Sequence, residues 1–159
     1  SIAMEEALLG LSEGEQPFGA CVVLDGEIIA RSHSTKVKSH DITAHAETRA
    51  VGLATRRLKK NSLSGCMFYS VCEPCPMCCG AILNSQVSKL FLGARHKSLR
   101  TQPSENMSLE QYKGGTFDFH DYSAEKLAEM VGSEIEIVGG VMEEECEKLY
   151  HGAKIKLSR

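Results

Sequence analysis

The chain's 159 residues, 42% hydrophobic and 25% charged, suffice for one domain with its own core and exclude a disordered, charge-dominated chain. A net charge of -3, from 18 basic and 21 acidic residues, provides no overall basic field, so a nucleic-acid partner is possible but not favoured. No apolar run approaches the roughly 18 residues of a spanning helix, which argues against a membrane partner. The working expectation is a single domain over residues 1–159. The opening SIAMEEALLGL carries Glu5 and Glu6 where a secretory leader would be basic, so a cytoplasmic protein is expected. It begins at Ser1 in mid-pattern, and a few preceding residues are expected to be missing.

Met4, Ala7, Leu8 and Leu11 share a helical face that Gly14 ends, which predicts a first helix. GACVVLDGEIIARS reads as two strands joined by Asp25-Gly26, a hairpin signal. A second helix is predicted from about Thr43 to Leu58, with Asp41 or Thr43 as its N-cap and Arg56, Arg57, Lys59 and Lys60 at its C-terminal end. GCMFYSVC is a third strand ending at Cys72, CPMCCGAILNS a third helix and KLFLGA a fourth strand. Residues 96–122 lose periodicity and read as a long loop. SAEKLAEMV is again helical, EIEIVGG is a fifth strand, and EEECEKLYHGAKIK is a closing helix with acids first and bases last. The helix between the fourth and fifth strands permits a parallel crossover there. The order predicts a five-stranded mixed sheet in a three-layer α/β/α sandwich.

Seven cysteines are an odd count, and four of them crowd into CEPCPMCC, which suits a metal in a reducing compartment better than a disulfide framework. His45, Cys75 and Cys78 supply a nitrogen and two sulfurs, the ligand types zinc prefers, and leave its fourth position open for water. With Cys75 at a helix N-cap, Cys78 follows at i+3 on the same face, and the positive helix end favours both thiolates. Glu47 stands two residues from His45, the wrong spacing for a second ligand on one helix face, and fits a proton carrier beside the metal. Cys72 could instead close a structural site as a fourth ligand, but such a site needs no Glu47. An iron–sulfur reading of Cys72, Cys75 and Cys78 lacks the continuing Cys-Pro.

With PFGA at 17–20, TAHAE at 43–47, CEPCPMC at 72–78, GAI at 80–82 and FLGAR at 91–95, the chain resembles the cytidine-deaminase-like superfamily of zinc deaminases. The likeness covers roughly residues 1–95 and points to the branch of guanine, cytosine and tRNA-adenosine deaminases. It implies a cytidine-deaminase-like fold, one catalytic zinc ion per chain, and hydrolysis of an exocyclic amine on a small heterocycle. Ammonia leaves as Glu47 passes a proton to the ring. It also implies a homodimer, and substrate contacts from the backbone near Ala46 and the Pro74 turn.

Family members usually place an asparagine eleven residues before the zinc histidine, where this chain has Ser34, whose hydroxyl cannot reproduce a two-pronged amide. The tRNA-editing members tend to carry histidine and arginine where Asn84 and Gln86 stand here. TAHAE and CEPCPMC look most like the guanine deaminases, so the favoured substrate is a free nucleobase or nucleoside, a guanine-type purine ahead of cytosine, with tRNA adenosine as the alternative and a non-catalytic zinc-binding protein as a third reading. Phe18 is a candidate pocket wall, and His96, Asp118, Phe119, His120, Asp121 and Tyr122 are candidate specificity residues of the long loop.

Overall fold

The computed structural model describes residues 2–100 and 121–157. In chain order its elements are α1 (Ile2–Ser12), β1 (Gly19–Leu24), β2 (Glu27–His33), α2 (Lys36–Ser39), α3 (Ala46–Leu58) and β3 (Met67–Cys72). Then follow α4 (Pro76–Asn84), β4 (Lys89–Ala94), α5 (His96–Arg100), α6 (Ala124–Met130), β5 (Glu136–Val138) and α7 (Glu143–Leu157). The strands form one sheet in the order β2-β1-β3-β4-β5. β1 runs antiparallel to β2 and β3, whereas β3, β4 and β5 are parallel, as the expected crossovers require. No helix among the described residues is long and apolar enough to cross a membrane.

Each face of the sheet carries its own core, which completes the three-layer sandwich. On one face Ala46, Ala50 and Ala54 of α3 and Cys79 and Ile82 of α4 pack against Ala20, Val22, Phe68, Leu90 and Leu92. Their i, i+4, i+8 alanines let α3 lie close to the strands, which brings its N-terminus down toward the end of β3. On the other face Ala3 and Ala7 of α1 and Cys146 and Tyr150 of α7 cover Cys21, Val71 and Ala94. The β1–β2 hairpin turns at Asp25 and Gly26, with φ of 51° and 82°, the doubly positive geometry that Asp-Gly favours.

The expected apolar face of α1 is corrected. Its buried residues are Ala3, Glu6, Ala7 and Gly10, while Leu8 is 50% exposed. The reason is close approach: a Cβ at Gly19 would collide with the Ala3 and Ala7 backbone, so only a small-residue face fits against β1. The start of α3 is also corrected, from Thr43 to Ala46, with His45 rather than Asp41 or Thr43 at the N-cap. Asp41 instead accepts the Thr43 amide and hydroxyl at 2.8 and 2.6 Å, a local turn that competes with the helix. α2 and α5 were not legible in the sequence; each is about one turn long, too short to show a period.

Candidate metal centre and active site

Two helix starts meet at the carboxyl end of β3. His45 is the N-cap residue of α3 and Cys75 that of α4, both extended, with φ/ψ of -73°/157° and -63°/165°. Neither side chain makes a cap hydrogen bond, which leaves both free to turn toward each other. Pro76 opens α4 without losing an intrahelical bond, and Cys78 lies within its first turn.

His45 Nδ1 lies 3.7 Å from Cys75 Sγ and 3.4 Å from Cys78 Sγ. A tetrahedral zinc with ordinary Zn–S and Zn–N bonds needs nitrogen–sulfur edges of about 3.6 Å. All three donor atoms lie within 4.8 Å of one another, so the donor set fits zinc in both chemistry and spacing. Among the described residues the group has three members, and Cys72 is not one of them: it is buried in the core between the sheet and α1 and α7. That placement removes Cys72 as a closing ligand.

The thiols are already unequal. The hydrogen bond from Cys78, reinforced by His45, holds the Cys75 thiol down to about 4. The same bond, together with burial, pushes Cys78 far up. The bond to Cys75 also raises His45. Glu47, in the first turn of α3, is 5% exposed, and burial raises its carboxyl above the usual range. Ser70 of β3 donates its hydroxyl to Glu47 Oε1 at 3.3 Å.

Ala46 is the first, fully buried residue of α3, and its carbonyl accepts the Ser32 hydroxyl at 2.6 Å. Ser34 is 1% exposed; its N–H donates to the Phe18 carbonyl at 3.2 Å, and its Oγ accepts the Lys36 N–H at 3.4 Å. The Phe18 ring packs 6.1 Å from Tyr150 of α7, a core contact. Pro74 is buried, and its carbonyl accepts the Tyr122 hydroxyl at 2.6 Å. His96 is buried, with its ring centroid 5.8 Å from that of Tyr122. Asp121 is exposed and pairs with Lys126 at 3.4 Å. Asp118, Phe119 and His120 lie outside the described residues.

Sequence reasoning missed Ser70, Glu15 and the role of Glu73. The Glu15 carboxylate, 1% exposed, accepts the Val37 and Lys38 amides at 3.0 and 2.8 Å and so ties α2 and the adjoining Ser34 to the start of β1. Glu73 is 3% exposed and joins Arg95, His96 and Ala124. The available signal was an acid placed where the alternation of a buried strand had not yet ended, as in SVCEP, or just before an apolar strand, as in GEQPFGA.

Residues 1–94 match the family model for the cytidine and deoxycytidylate deaminase zinc-binding region. The tRNA-specific adenosine deaminase of Bacillus subtilis is 35% identical over 144 residues, 91% of this chain and 79% of that protein. The guanine deaminase of the same organism is 45% identical over 80 residues, which spans 50% of this chain and 51% of that one. A chain solved in a study of A-to-I editing by tRNA:A34 deaminases superposes with a TM-score of 0.69 at 28% identity, covering 93% of this chain and 95% of that one. Taken with the His45, Cys75 and Cys78 triangle, these matches place the chain in the cytidine and deoxycytidylate deaminase family, as a zinc-dependent hydrolase of the deaminase class.

Proposed function

We propose that this chain hydrolyses the exocyclic amine of a purine ring and releases ammonia. The observation that carries the reading is a buried carboxylate, Glu47, two residues from one corner of a three-donor metal triangle but outside it. His45, Cys75 and Cys78 would hold one zinc ion, which would supply Lewis-acid activation of the attacking water. Glu47, raised by burial and fixed by the Ser70 hydroxyl, takes one proton from the attacking water and gives it to the ring nitrogen, then carries the proton of the newly added hydroxyl to the amine, which leaves as ammonia while the ring carbonyl forms. Ser34 presents one hydroxyl where an amide would read the ring, which loosens discrimination among ring edges. A single-domain chain acting as a homodimer belongs to the same proposal, with light scattering as its check.

The purine has two candidate settings. A free guanine-type base is supported by the 45% match to the guanine deaminase and by the net charge of -3. Adenosine within a tRNA anticodon loop is supported at least as well, by a 35% match that runs over 91% of this chain. The test is ammonia release by the zinc-loaded protein from free bases, nucleosides and an anticodon stem-loop, repeated over a salt series. Turnover of a free ring that hardly responds to salt supports the first setting. Turnover of the stem-loop alone, falling steeply with salt as phosphate contacts are screened, supports the second. Silence on every ring sinks the proposal.

A further inference from the structure

Beyond residue 94 the chain lies outside the family match, yet that part grips the loop that delivers the metal ligands. The Glu73 carboxylate accepts the His96 amide on one oxygen at 3.1 Å. Its other oxygen takes the Ala124 amide at 3.0 Å and Arg95 Nη1 at 3.3 Å. Arg95 in turn clamps Glu125 with bonds of 2.9 and 2.7 Å. One residue further, the Tyr122 hydroxyl donates to the Pro74 carbonyl at 2.6 Å and also meets the Cys79 thiol. The Cys79 amide donates to the Cys75 carbonyl at 2.8 Å. Cys75 is thus held from both sides, by Tyr122 on the peptide before it and by its own helix after it.

Proline has no N–H, so the carbonyl is the only backbone group by which residue 74 can be hydrogen-bonded in place. Pro74 is fully buried and its bond to Tyr122 partly so, and loss of the phenol leaves that carbonyl without its donor. We propose that Tyr122 is a positioning residue for the metal centre: by holding the Pro74 carbonyl it sets the backbone from which Cys75 reaches the metal. Metal retention is thereby tied to residues 122–125, a segment that carries no ligand of the triangle. The inference stands on the metal centre and is independent of which ring is the substrate.

The experiment compares Tyr122→Phe with Leu127→Ala. Leu127 lies on α6 and packs against the core beside α3 and α4 without joining this hydrogen-bond network, so its truncation reports simple loss of stability. Zinc transfer to a chromogenic chelator, the Co(II) absorption spectrum and the melting temperature are measured for both variants and the unmodified chain. Tyr122→Phe is expected to release zinc roughly tenfold faster and to shift the Co(II) bands, as loss of an outer partner of a ligand does. Leu127→Ala is expected to melt lower with zinc release and spectrum unchanged. Unchanged release and spectrum in Tyr122→Phe overturn the proposal. So does faster release in both variants in proportion to their loss of melting temperature, and an unmodified chain that takes up no zinc overturns the centre itself.

Discussion

α6 and the two helices of the metal centre begin in different ways. Ser123 caps α6 in the ordinary manner, its hydroxyl accepting the Lys126 amide at 3.2 Å. His45 and Cys75 occupy the same position in α3 and α4 and cap nothing; their side chains turn to each other instead, 3.7 Å apart. A missing cap costs a helix about 1 kcal/mol. Here that cost leaves two positive helix ends aimed at one point, where they favour thiolates and an anionic oxygen. A helix with nothing to bind keeps its cap, and a helix start that carries the chemistry gives it up.

The largest break in this comparison comes from restoring the caps. Cys75→Ser or His45→Asp supplies a good capping side chain and removes a ligand, so zinc binding should be lost. The metal-free variant should nevertheless melt about 1–4 °C above the metal-free parent, for a cap worth about 0.5–1 kcal/mol. Melting curves in chelator and metal analysis of the purified protein check both halves. A metal-free variant that melts lower would mean that His45 and Cys75 already stabilise their helices in some other way.

Ser123→Ala is the converse and a smaller effect. Loss of that cap should cost about 1 kcal/mol, or about 2–4 °C in melting temperature, with zinc content unchanged. Denaturant unfolding and metal analysis of the same sample decide it.

A smaller effect still lies where α6 is tied to the metal loop. The hydrogen bond from Arg95 holds the Glu125 carboxyl below the usual range. A depressed folded-state value means that the stabilisation is complete above the unfolded carboxyl value and is lost as the pH falls through the folded one. Glu125→Gln should therefore cost at most about 0.5 kcal/mol at neutral pH, since the pair is partly exposed and screened. The gap from the parent should close as the pH falls below the ordinary glutamate range. Urea unfolding across a pH series measures this, and a gap that widens in acid would show that the sign is wrong.

The sequence made the ligands legible because each is of a residue type with a dedicated chemistry, at a spacing that a helix start imposes: Cys75 and Cys78 around Pro76, and His45 two residues from Glu47. The strands were legible for a similar local reason, since Asp25-Gly26 and runs such as KLFLGA state their geometry within a few residues. What escaped depends on partners distant in the chain. Ser70 is an ordinary strand serine until α3 brings Glu47 to 3.3 Å. Tyr122 reads in the sequence as one of several candidate specificity residues, and nothing local signals that its hydroxyl reaches the Pro74 carbonyl, 48 residues earlier. The buried face of α1 was misread because periodicity favours the larger apolar side chains, while close packing at Gly19 selects Ala3 and Ala7.

The most direct test of the account is Glu47→Ala, assayed for bound zinc and for ammonia release from the best ring substrate of the parent in the same preparation. The account predicts about one zinc per chain, as in the parent, with turnover lower by about two to four orders of magnitude. Turnover near the parental level with zinc in place would contradict the assignment of Glu47 as the proton carrier. Loss of the zinc itself would place Glu47 among the groups that hold the metal.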